Sequence, residues 1–99
     1  MSFADTLRRH RRITILRTLA EAPGYGANES LLSAMLDHFR VTSTRDQVRT
    51  ELAWLADQGF VLNEVIGDLL VTTITQEGLD VASGRRVHPD IEKPAPRKR

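Results

Sequence analysis

The stretch STRDQVRTELAWLADQGFVLNEVIGDLLVTTIT, residues 43–75, changes periodicity halfway along, and the architecture is read from that change. In its first half Val48, Leu52 and Leu55 recur at steps of four and three, the spacing that lines apolar side chains along one stripe of a helix. Ser43, three residues ahead of Asp46, predicts a capping box and a helix start near Thr44. Gly59 predicts the end, because a glycine enters the left-handed conformation of a helix C-terminus without a Cβ penalty. After Gly59 the period becomes two, with Phe60, Leu62 and Ile66 on one side and Val61, Asn63 and Val65 on the other. Gly67-Asp68 separates this run from Leu69–Thr75, and glycine at the first turn position suits a two-residue type II′ hairpin.

On the N-terminal side of this stretch, two more helices are predicted. Ile13, Leu16, Leu19 and Ala20 form an apolar stripe over about residues 4–22, ended by Pro23-Gly24. Phe3 and Leu7 project away from that stripe and need another partner, either the rest of the domain or a second copy of the chain. A second helix is predicted from Asn28 as N-cap, with Glu29 in its first turn and Leu31, Leu32, Met35, Leu36 and Phe39 as its buried side. Arg40–Thr42 is a short connection, so helices two and three make a helix-turn-helix. Tyr25, in Gly24-Tyr25-Gly26, reads as packing across the helix ends. QEGLDVASG, residues 76–84, is a fourth helix with Thr75 as its cap and Gly84 as its stop. The fold class is therefore mainly α with a small antiparallel β-hairpin, one domain over residues 1–84.

Ninety-nine residues hold one modest core and leave little room for a deep cleft between lobes. No cysteine is present, which excludes disulfides, thiolate metal sites and cysteine nucleophiles and fits a reducing cytoplasm. No segment approaches the roughly 20 apolar residues of a membrane span, and the N-terminus lacks the apolar core of a signal peptide. The net charge of +1 conceals an uneven distribution. Residues 1–84 carry eight arginines against eleven carboxylates, while residues 85–99 carry six cations against Asp90 and Glu92. With Pro89, Pro94 and Pro96 and no apolar period, residues 85–99 are expected to form a basic, disordered C-terminal tail.

Taken together, residues 3–84 resemble a winged helix-turn-helix of the arsenical-repressor-like and multiple-antibiotic-regulator-like kind. TRDQVRTELAWLADQGFV matches the recognition helix and the entry to the wing, and ITQEGLDVASG resembles the strand-to-helix segment often written T-x-x-G. A short strand between the first two helices, common in that architecture, has no signal here. The opening MSFADTLRRHRRITILRTLAEAPGYGANESLL, with these segments, is similar to a family of small proteins of Mu-like bacteriophages and prophages, often described as transcriptional regulators. The resemblance implies double-stranded DNA as partner and the cytoplasm of a bacterial host as location, and it brings no catalytic motif.

Under that resemblance the recognition helix offers Thr44, Arg45, Gln47, Arg49 and Thr50 for base edges and phosphates. A solvated face is the alternative, because Asp46, Glu51 and Asp57 outweigh Arg45 and Arg49 along the helix. The wing, from Phe60 to Thr75, carries no cation and holds Glu64 and Asp68, an unfavourable composition for phosphate. Arg8, Arg9, Arg11 and Arg12, or Arg97, Lys98 and Arg99 in the tail, are left as electrostatic contacts. Trp54 is either packing between helix three and the wing or, with Phe3 and Leu7, part of a protein interface.

Enzymatic readings find no support. His10, His38 and His88 are isolated, without metal-ligand spacing, and read as structural or solvated. Gly24-x-Gly26 lacks the rest of a phosphate loop, and Ser30, Ser33, Ser43 and Ser83 lack a nucleophile elbow. No cofactor, metal or reaction is expected. Two functions remain open: a DNA-binding regulator acting as a homodimer, and a phage assembly or packaging accessory that binds a phage protein through the same fold.

Overall fold

The structure is a computed structural model that describes residues 1–96. Helix α1 spans Phe3–Glu21 and starts on a capping box in which the Ser2 hydroxyl accepts from the Asp5 N–H and the Asp5 carboxylate from the Ser2 N–H. It stops at Ala22, whose extended backbone is what the proline after it demands. A 3₁₀ turn over Pro23–Tyr25 leads into a strand without a signal in the sequence, β1 at Gly26–Asn28. Three residues are too few to show a period. Only pairing with a distant strand defines β1.

Asn28 then caps α2, Glu29–His38, by accepting from the Leu31 N–H. Leu32 and Leu36 are buried as expected, but Leu31 and Phe39 are exposed and Met35 is half-buried. The ten-residue helix turns one stripe to the core and leaves Leu31, Met35 and Phe39, at steps of four, on its outer flank. Arg40, at φ 61°, ends the helix in a left-handed conformation unusual for a residue with a side chain.

Helix α3 spans Arg45–Asp57, and its capping box lies one residue beyond the expected one. The Thr44 hydroxyl accepts from the Gln47 N–H, and Gln47 Oε1 accepts from the Thr44 N–H. Ser43 instead donates to the Val41 carbonyl and accepts from Arg11 Nε at 2.6 Å. Val48, Leu52 and Leu55 are wholly buried. Strands β2, Val61–Ile66, and β3, Leu69–Ile74, form the hairpin with Ile66 opposite Leu69. Gly67 has φ 61° while Asp68 keeps a negative φ, as a type II′ turn requires. β1 pairs with the far edge of β3, giving a three-stranded antiparallel sheet in the order β1-β3-β2.

Helix α4, Gln76–Ser83, is capped by Thr75 and stopped by Gly84 at φ 84°, as its sequence predicts. It lies so close to the hairpin entry that a side chain on Gly78 would collide with the Phe60 carbonyl and the Ile74 side chain. Beyond Gly84 the chain departs from the expected disordered tail. Residues 85–96 fold back as a strap: Ile91 is buried, the Glu92 N–H donates to the Arg9 carbonyl, and Arg12 donates to the Asp90 carbonyl at 2.9 Å. Low apolar content misled because one isoleucine, seated among core residues, is enough to anchor the strap. The molecule is thus mainly helical with a small antiparallel sheet, and none of the described helices is long and apolar enough to cross a membrane.

Candidate nucleic-acid interface

Two buried carboxylates organise the charges of this protein. Glu29, in the first turn of α2, is almost fully enclosed, yet it faces three donors from other elements. Arg49 holds it through both carboxylate oxygens, Nε to Oε1 at 3.0 Å and Nη2 to Oε2 at 2.9 Å, while Arg45 Nε reaches Oε1 at 2.9 Å. The Leu70 N–H of β3 donates to Oε2 at 2.7 Å. Hydrogen bonding from Arg49, then from Leu70 and Arg45, overcomes the cost of burial and holds the Glu29 carboxyl at a pKa of about 2. The same pairing raises the pKa of Arg49. One carboxylate therefore joins α2, α3 and the hairpin, and fixes the direction of two arginines whose side chains remain 65% and 45% exposed.

Glu51, on the opposite flank of α3, draws in the N-terminal basic run. Arg12 Nε meets it at 2.7 Å, with Arg11 and Arg8 within 4 Å. Arg12 also lies 3.7 Å from the centroid of the Trp54 ring, which His88 contacts edge-on at 5.2 Å. Arg11 and Arg12 are buried, and burial depresses the pKa of Arg11. Arg9 is turned to Glu92, and Arg8 is shared between Asp5 and Glu51.

The structure sorts the expected contacts. Thr44 and Gln47 each accept a hydrogen bond in the helix cap, so the Thr44 O–H, the Gln47 amide nitrogen and the exposed side chain of Thr50 are what this end of α3 offers beside the arginines. Arg11 and Arg12 leave the set of electrostatic contacts, because their guanidiniums are consumed inside the protein. Arg8 keeps partial exposure and Arg9 much less. Arg97, Lys98 and Arg99 lie outside the described residues. Trp54, half-buried on α3, packs against Arg12 of α1 and His88 of the strap, and Leu7 rests partly against the core. Phe3 is the most exposed of the three expected interface residues.

Glu29 is the residue that sequence reading missed in this role. Its place in a first helical turn explained it locally, and nothing in spacing shows that a carboxylate will cross to another helix. Arg40 is a further exposed cation, in the turn between α2 and α3. Among the described residues no group of three or more histidines and carboxylates is arranged to hold a metal.

No protein-family model matches the chain. It is 41% identical over 98 positions to a protein of Haemophilus influenzae, covering 93% of this chain and 95% of that one. It is 40% identical over 93 positions to gp26 of Escherichia phage Mu, covering 94% and 96%. Likeness of that degree along nearly the whole of each chain is shared descent, and the protein belongs to the family that includes phage Mu gp26.

Proposed function

We propose that this protein is a winged-helix DNA-binding module, regulator-like, that reads duplex DNA with the N-terminal half of α3. The element order α-β-α-α-β-β-α and the β1-β3-β2 sheet support the winged-helix reading. The observation that carries the function is the Glu29 clamp: a carboxylate is desolvated to hold Arg45 and Arg49 in fixed directions on an exposed helix face. Oriented guanidiniums lose less rotamer entropy when they meet a guanine edge or a phosphate. Arg45 donates to Glu29 through Nε alone, which leaves its two terminal nitrogens for a ligand, so it is the reading residue of the pair. Arg49, held at both oxygens, braces it.

Few accessible cations imply modest, non-steep electrostatics. Fluorescence anisotropy with mixed duplexes should give a log K against log salt slope of roughly −2 to −3 for a chain ending at Pro96. Arg45→Ala should weaken binding by about tenfold or more, and more than Thr50→Ala does. Absence of binding even at low salt overturns this reading. Binding that survives Arg45→Ala with Arg49→Ala but is lost on removing residues 97–99 assigns the contact to the tail and removes sequence reading from α3.

One observation favours a second reading. Leu62, Val65 and Ile66 stand exposed on the hairpin, and no lysine or arginine occurs from residue 50 to residue 84. An apolar, acidic hairpin suits a protein surface better than a phosphate backbone. Under this reading the module serves phage assembly or packaging. Loss of all DNA binding, in a chain whose fold is intact, is the result that selects it.

A further inference from the structure

Helix α1 has an outer face that is poorly suited to water. Phe3, Leu7, His10, Thr14, Arg17 and Glu21 follow one another at alternating steps of four and three and so form a single stripe, turned away from the buried Leu16 and Leu19. From Phe3 to Thr14 this stripe holds no carboxylate, lysine or arginine. Its two ends differ in shape. At the N-terminal end Phe3 projects with 77% of its surface exposed, although a phenylalanine there gains nothing from solvent. At the other end the stripe borders a groove of about 440 Å³, walled by Thr14, Arg17 and Thr18 on α1, by Leu31 and Met35 on α2 and by Phe39 just past its end. Leu31 and Phe39 are 47% and 55% exposed.

A knob at one end of a helix face and a groove at the other end of the same face are self-complementary under a two-fold axis. We propose that the protein forms a homodimer by antiparallel packing of α1 against α1 of a second copy, each Phe3 entering the α1–α2 groove of the other. An axis beside His10 sets Phe3 over Thr18 of the partner subunit and Leu7 over Thr14 of the partner subunit. The charges permit this register: no carboxylate of α1 faces a carboxylate of the other α1, the Glu92 carboxylate beside the axis is engaged by His10 Nε2 at 2.9 Å and Arg9 Nη2 at 3.4 Å of its own chain, and each Arg17 comes beside the other copy's Phe3 ring, where a guanidinium is attracted to the aromatic face. The area sets the strength. Helix α1 runs about 28 Å and the ten-residue α2 about 15 Å, so two strips each about 10 Å wide project to roughly 430 Å² before side-chain relief. That is the footprint of a small interface, near the roughly 600 Å² per partner at which weakly associating pairs begin, so the dimer forms at high protein concentration.

The proposal does not depend on DNA binding, and its test contains no DNA. The full chain has no cysteine, so single-cysteine variants report one position each. Sedimentation should give twice the chain mass, and Phe3→Glu, at an exposed position, should raise the dimer dissociation constant at least about tenfold with an unchanged far-ultraviolet circular dichroism spectrum. Mixed Phe3→Cys and Thr18→Cys variants should join by a disulfide under mild oxidation faster than either joins to itself, and His10→Cys should join to itself. A strictly monomeric mass at the highest soluble concentration overturns the proposal. So does preferential Phe3→Cys self-joining, which requires a parallel pair, and so does dominant joining through Leu62→Cys, which places the contact on the exposed edge of β2.

Discussion

Glu29 and Glu51 are both buried and both paired with arginine, yet their partners differ in a way that separates the consequences of losing them. The arginines on Glu29 are 65% and 45% exposed and can return to water, whereas Arg11 and Arg12 on Glu51 cannot. Glu51→Gln should therefore cost about 3–5 kcal/mol in urea unfolding, the range for stranding a buried charge. Glu29→Gln should cost less, about 1.5–3 kcal/mol, the range for hydrogen bonding to a charged group. Equal losses would mean that Arg11 and Arg12 reach solvent. Glu29 also sets an acid dependence. Its folded pKa of about 2 lies below the ordinary 4.5, so the unfolded chain takes up the proton first as pH falls. The stability it supplies is complete above about 4.5 and drains away between there and about 2. The gap between wild type and Glu29→Gln should narrow across that window in denaturant titrations at stepped pH.

Among the elements, the strap has the largest effect on how the chain is to be cut. His88 packs edge-on against both Trp54 and Phe60, and Ile91 completes the core beside α1. Deleting residues 85–99 should lower stability by about 2–4 kcal/mol, as for truncation of a large core side chain, while ending the chain after Pro96 should leave the melting temperature unchanged. A melt unaltered by the longer deletion would show that the strap is not part of the core. The helices were legible because their signals are local: Asn28, Thr75 and Gly84 cap or stop them as expected. The capping box of α3 moved by one residue because Ser43 had a stronger claim elsewhere, from the Arg11 guanidinium. The hairpin is tied to α3 by Asn63, which donates to the Leu52 carbonyl and accepts from the Thr72 hydroxyl at 2.7 Å. Alternation set Asn63 apart from Phe60 and Leu62, but its partners belong to tertiary structure.

For the whole molecule, the distribution of charge matters more than the net value. Internal pairing withdraws Arg11 and Arg12 of the N-terminal basic run, while Arg45 and Arg49, though held by Glu29, stay exposed in the first turns of α3. With the proposed two-fold interface, two such helices act on one duplex, and avidity joins their separate contacts. Phe3→Glu should then weaken binding to a long duplex by about tenfold or more while leaving affinity for a short single half-site unchanged. Equal affinity of both forms for the long duplex would show that only one copy engages DNA at a time.

The order of helices, the hairpin turn and the family resemblance were readable from the chain alone, because periodicity, caps and glycine turns are properties of neighbouring residues. So was the placing of Arg45 and Arg49 on the exposed side of α3. Which charges remain available is a property of the folded chain. Electrostatic pairing acts through space, so Glu29 from α2 and Glu51 across α3 select their arginines by proximity after folding. The same holds for β1 and the strap. Each is too short or too polar to declare itself and gains its place from one distant partner, β3 for the strand and the core around Ile91 for the strap.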